Sequence, residues 1–195
     1  MKETFVEIFR EHITRPGADK LLDWLENSDF FTAPASTKYH LAKPGGLVAH
    51  SVNVYKRLLK LWEDQLFSDD VPYLTPSEQE SIAICGLLHD ICKANYYTVE
   101  MRNRKNEQGV WEQQPFYTVK DQFPFGHGEK SVYIISTFMR LSRYELMAIR
   151  WHMGGFDDTV RAGSYSMSDA FKECPLAVLT HVADMMATYL DEVEV

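Results

Sequence analysis

The segment from Pro76 to Cys92 constrains this chain more than any other. It starts at Thr75-Pro76 and runs through the apolar stretch IAICGLL into His89-Asp90, with Ile91 and Cys92 directly beyond. A stretch this apolar predicts a central helix buried on every side. An imidazole and a carboxylate at its C-terminal end are expensive to desolvate unless something compensates them. A metal ion would do so, and the rest of the chain then has to deliver further ligands to this point. The start of the helix is equally legible, with Thr75 as N-cap, Pro76 as first helical residue, and Glu78 and Glu80 near the positive end.

Around this segment the pattern is mostly helical. Phe5, Ile8 and Phe9, then Leu21, Leu22, Trp24 and Leu25, suit two short amphipathic helices broken at Pro16-Gly17, whose expected job is to cover the core. Residues 30–46, with Pro34, Ser36, Thr37, Pro44, Gly45 and Gly46, read as a loop. From Leu47 to Asp64 apolar residues recur with a period near 3.6, and His50 falls in the first turn of that helix. The β-branched and aromatic runs YYTVEMR and VWEQQPFYTV flank the polar turn KNEQG and predict a β-hairpin over about 96–120. Helical patterns return over 129–139, 144–151 and 176–190. The expected fold class is mainly α, a helical bundle with a small hairpin insertion.

The 195 residues suit one domain on a prior of roughly 100–200 residues per domain. A net charge of −8 argues against tight binding of long nucleic acid, which relies on Lys and Arg displacing phosphate counterions. Cys85, Cys92 and Cys174 show no CxxC spacing and suggest neither a disulfide framework nor a zinc knuckle. The N-terminus lacks an uninterrupted apolar core, and no stretch of about 18 apolar residues occurs. The expectation is a cytoplasmic protein with no membrane partner. A homodimer is compatible with the sequence, which identifies no apolar patch for it.

Most histidines lie beside helix boundaries or glycines, together with acids in otherwise apolar segments: His50, His89-Asp90, His127, His152 and Asp184. Divalent metals accept this mixture of imidazole and carboxylate. Asp184, in the nearly apolar LTHVADMMATYL, is the second informative acid, because a buried carboxylate there needs a cation or several hydrogen bonds. His127 and His152 each have an ordinary alternative as a cap or loop residue beside a glycine.

GGLVAHSVNVY with His50, GLLHDICK with His89-Asp90, and HVADMMA with Asp184 resemble the HD-domain phosphohydrolases over roughly Tyr39 to Leu190. On this resemblance the whole chain, 1–195, is one HD domain, with 39–190 as its core and 1–35 as an N-terminal helical extension. The resemblance implies one or two divalent ions (Mn, Fe, Ni, Co or Mg). Asp90 would bridge the two, with His50, His89 and Asp184 on one ion and His127 and His152 on the other. It also implies that Asp90 and Lys93 serve catalysis, with Lys93 presented to a substrate phosphate; the plain reading of Lys93 is a lysine complementing a helix dipole. His40 and Arg150 are further candidate substrate contacts, although Arg150 equally suits a solvated face. His181, spaced i,i+3 from Asp184, is assigned to packing or support of the ligands, and His12 to a solvated helix face. Tyr96, Tyr97, Trp111, Phe116 and Tyr117 of the hairpin offer either sheet packing or a stacking wall for a base.

The leading expectation is hydrolysis of a phosphoester or phosphoanhydride in a small nucleotide or short oligonucleotide, with metal activating the water. No GxSxG or P-loop motif competes. The motifs are similar to those of HD domains in 3′→5′ exoribonucleases and of dinuclear HD phosphodiesterases, though an OB-type RNA-binding domain and a GYP signature are lacking. Two other classes use the same ligand order: a non-catalytic nucleotide-binding HD regulatory module, and an HD-type di-iron oxygenase.

Overall fold

A computed structural model describes residues 1–66 and 74–193 of the chain. Its elements, in order, are α1 (Lys2–His12), α2 (Ala18–Asn27), α3 (Gly46–Leu66), α4 (Pro76–Leu88), β1 (Tyr97–Lys105), β2 (Trp111–Val119), α5 (His127–Ser136), α6 (Arg143–Trp151), α7 (Asp158–Arg161), α8 (Ser166–Glu173) and α9 (Pro175–Met186). The fold is mainly helical with one antiparallel hairpin. Among the described residues, no helix is long and apolar enough to cross a membrane.

The central helix forms where the apolar run predicted it. Thr75 Oγ1 accepts from Glu78 N, the Glu78 carboxylate accepts from Thr75 N at 2.9 Å, and Pro76 opens the first turn. Such a cap contributes about 1 kcal/mol and sets the start of the helix. From Ile82 to Leu88 every residue of α4 is buried, and the helix packs against α1, α3, α6 and α9. It ends at Leu88 rather than at Cys92: His89 is its cap, Asp90 leaves helical geometry, and Ile91–Lys93 form a single 3₁₀ turn. Asp90 is thereby turned out of the helix toward its neighbours.

Two glycines set how closely the helices carrying the expected ligands approach. A Cβ on Gly86 of α4 would lie 2.5 Å from Tyr55 Cα of α3, and one on Gly128 of α5 would overlap the Arg150 carbonyl of α6. The first approach brings the start of α3 beside the end of α4. The second does the same for the start of α5 and the end of α6.

Helices α1 and α2 share the hydrophobic cluster of the remaining elements, with Phe5, Phe9, Leu21 and Leu25 fully buried in it. Arg15, between them, donates to both oxygens of buried Glu145 on α6 at 2.8 and 3.0 Å and to Glu80 of α4 at 3.0 Å. Residues 1–35 are thus built into the same core as 39–190. The hairpin pairs Tyr97 with Val119 through to Lys105 with Trp111. Among the described residues it is anchored at its base, where Tyr97 Oη donates to the Ala35 carbonyl at 3.1 Å and Lys130 pairs with Asp121, just beyond β2, at 2.6 Å. The short helices α7 and α8 were not anticipated; α7 is opened by Asp157, whose side chain accepts from Thr159 N and Val160 N.

Candidate metal centre

Six side chains converge from five helices. His50 lies in the first turn of α3, His89 caps α4 with Asp90 in the turn beyond, His127 opens α5, His152 caps α6, and Asp184 lies on α9. All six residues expected as ligands are brought together. The ligand atoms of His50, His89 and Asp184 lie within 4.8 Å of one another, as do those of His89, Asp90 and His152. His89 and His152 are fully buried, and His50 and Asp90 nearly so.

The outer nitrogens decide which way the imidazoles face. A backbone carbonyl can only accept, so His89 Nδ1 carries the proton it gives to Gly86 O at 3.0 Å, and His152 Nδ1 the one it gives to Ile149 O at 2.7 Å. Burial pushes the His89 pKa down to about 3, which keeps that ring neutral and leaves Nε2 as a lone pair. His152 Nε2 is buried without a hydrogen-bond partner, 3.5 Å from Asp90 Oδ1. An imidazole nitrogen aimed at a carboxylate oxygen with nothing between them is the arrangement a cation would relieve. The donor set therefore fits a divalent metal, with imidazole and carboxylate in the proportions such ions accept.

The Asp90 carboxylate faces two ways. Oδ1 lies 2.7 Å from His127 Nε2 and 3.5 Å from His152 Nε2, while Oδ2 lies 3.6 Å from His50 Nε2 and 3.7 Å from His89 Nε2. Asp184 Oδ1 adds to the second group, 3.2 Å from His50 Nε2. Lys93 Nζ also reaches Asp90 Oδ2, at 2.6 Å. Burial would raise the Asp90 pKa, but Lys93 and the imidazoles hold the carboxyl well below its usual range. For Asp184, burial is likewise outweighed by His50. The centre thus pairs a buried carboxylate, Asp90, with a half-buried one, Asp184, both kept ionised by positive neighbours.

A cavity of about 690 Å³ opens over one side of the centre, lined by His50, Asp90 and Asp184 together with Lys93, His40 and His181. His40 lies against His50, the rings tilted at 37° with centroids 4.9 Å apart. His181 supports the backbone of His152, its Nδ1 donating to the His152 carbonyl at 2.7 Å. His12 stands apart from the centre, its ring 6.2 Å from that of Tyr55.

Arg150 is not brought to this cavity. Its guanidinium pairs with Asp157 at 2.7 Å and with Glu129, and donates to Thr159, so it ties α5 to α6 and to the start of α7. The guanidinium that lines the cavity belongs to Arg161, which the sequence did not distinguish from other surface charges. Nor do the hairpin aromatics line it; Tyr39, Phe156 and Tyr189 do.

Two further residues were missed. Cys92 Sγ lies 3.5 Å from His127 Nδ1, so a thiol adjoins that imidazole. Glu192 is buried, with both carboxylate oxygens 3.1 Å from His50 Nδ1. The i,i+2 spacing from Asp90 offered a clue to Cys92, whereas nothing local marked Glu192.

A family model described as HD domain matches residues 47–189, a span that contains all six of the converging residues. No curated protein and no solved structure matches the chain.

Proposed function

Because the chain belongs to the HD domain family, we propose that it is a metal-dependent phosphohydrolase that cleaves a phosphoester or phosphoanhydride in a small nucleotide or short oligonucleotide. The observation that carries this reading is the placement of Asp90, which presents one carboxylate oxygen to His127 and His152 and the other to His50 and His89. Divalent ions held by these residues and Asp184 would neutralise phosphate charge and lower the pKa of an attacking water.

The protein's own residues account for binding and orientation. Lys93, on the cavity side of Asp90, places a cation where non-bridging phosphate oxygens gain charge. His40 and Arg161 supply further donors on the cavity wall. Tyr39, Phe156 and Tyr189 give it flat apolar surfaces on which a base can stack. Their presence, together with a net charge of −8, favours small nucleotides and short oligonucleotides over long chains.

The test is a phosphate-release screen over mononucleotides, dinucleoside polyphosphates, cyclic dinucleotides and short oligoribonucleotides, each with Mn, Fe, Co, Ni or Mg. Turnover of at least one substrate that is lost on chelation supports the proposal, and no turnover with any metal overturns it. Binding of a nucleotide without turnover would instead point to a regulatory module. Metal content decides the number of ions: His152→Ala retains one ion if the centre is dinuclear.

A further inference from the structure

The three buried imidazoles with an identified outer partner are not held alike. His89 and His152 each give their Nδ1 proton to a neutral backbone carbonyl, whereas His50 Nδ1 faces the two oxygens of Glu192. Glu192 lies beyond residue 189, where the HD domain match ends. It is brought back by the end of α9, which widens at Ala187–Asp191 into one π turn, a distortion often found at functional sites. Glu192 N then donates to the Ala187 carbonyl at 3.1 Å.

Helix α3 receives this segment along one face. His50, Asn53 and Arg57 lie one helical turn apart in succession. Asn53 Nδ2 donates to Glu192 Oε1 at 3.0 Å, and Arg57 Nε donates to Asp191 Oδ2 at 2.8 Å. The Asp191 pair is partly exposed, but the Glu192 side chain is only 1% exposed. A carboxylate withdrawn from water to this degree is costly unless its partners compensate it, and its partners here are His50 and Asn53.

We infer that Glu192 is a positioning residue for the metal centre, acting through His50. Its carboxylate holds the proton on His50 Nδ1 and so keeps Nε2 turned toward Asp90 and Asp184. A negative charge behind the ring also makes Nε2 a better donor to a cation than a carbonyl-backed imidazole would be, as carboxylate–histidine–metal arrangements do. The segment after the matched family region thus completes the centre. The inference rests on the metal reading above and assigns part of its affinity to one residue.

The experiment is a Co²⁺ titration of the chelator-treated full chain, comparing the native protein with Glu192→Gln, Glu192→Ala and Asp191→Ala. Glu192→Ala is expected to weaken Co²⁺ binding roughly ten- to a hundred-fold. Glu192→Gln, which keeps an oxygen for His50 Nδ1 but no charge, should fall between it and the native protein. Asp191→Ala removes the neighbouring ion pair of the same segment and should leave affinity unchanged. If Glu192→Ala does not fold, as judged by its helical circular dichroism, a several-fold loss in Glu192→Gln still supports the role. Native-like affinity in that variant overturns it. Equal losses in Asp191→Ala and Glu192→Ala would also overturn it, since docking of the segment would then be what matters. Binding by the native chain that is unaffected in both Glu192 variants removes this inference alone; no Co²⁺ binding by the native chain removes the metal reading with it.

Discussion

Asp90→Asn probes the centre at its most connected atom pair. The Asp90 side chain is 3% exposed and meets Lys93 at 2.6 Å and His127 at 2.7 Å. The amide keeps the shape but removes the charge, leaving Lys93, with a side chain only 14% exposed, beside a neutral group. Disrupting a buried ion pair through one partner costs about 3–5 kcal/mol. For a chain of 195 residues each kcal/mol corresponds to roughly 2–4 °C, so the metal-free variant should melt about 6–20 °C below the native protein. The sign of the pH dependence follows from the depressed pKa. Stability from an ionised Asp90 is present above the ordinary value of 3.8 and is lost as pH falls through the lower folded value, so the gap between the two proteins closes in acid. Metal adds a second readout. At an ion concentration a hundred times Kd, the native protein gains about 2.7 kcal/mol, or roughly 5–11 °C, and Asp90→Asn gains none. Melting followed by circular dichroism, first in chelator and then in Mn²⁺, measures both. A variant that melts with the native protein in chelator, or that keeps the full Mn²⁺ shift, would refute the reasoning.

Two more predictions come from the same geometry. Burial pulls the His50 pKa down, but Asp184 and Glu192 outweigh it and hold the ring at about 9, so at pH 7 metal must displace a proton from it. Calorimetric Mn²⁺ titrations at pH 7 in buffers of different ionisation enthalpy should report proton release, about one proton from His50 and, where His127 also binds, a second from that ring, which, against burial, its Cys92 and Asp90 neighbours hold at about 10; a buffer-independent heat contradicts this. Gly128→Ala drives a methyl group into the Arg150 carbonyl, an overpacking that costs about 1–3 kcal/mol and parts α5 from α6. Metal analysis should then show weakened binding at His127 and His152, and unchanged metal content together with native melting would count against the close-approach role of Gly128.

The local parts of this protein were legible in its sequence because they depend on neighbours three or four residues apart. The Thr75–Glu78 capping box and the apolar period of α3 are of this kind, and the hairpin, whose strands are adjacent in sequence, was legible from its β-branched and aromatic runs about a polar turn. His50, His89-Asp90 and Asp184 could be read as a set because each stands out against an apolar helix, where an uncompensated polar group is expensive. Tertiary structure alone decided how they combine. Arg150 faces Glu129 and Asp157 instead of the cavity, because the guanidinium finds its carboxylates on two elements that only packing brings alongside α6. The hairpin aromatics lie off the cavity because, among the described residues, the hairpin meets the body at its base. The two directions of the Asp90 carboxylate depend on α4 ending at Leu88 and on two close helix approaches. Glu192 is the extreme case: it meets His50 across 142 residues, and a single glutamate after the last apolar helix carries no periodicity or cap that points to a partner so distant. Periodicity and capping act within a turn or two of chain, whereas the orientation of a buried charge is set by whichever groups the completed core brings within hydrogen-bond reach.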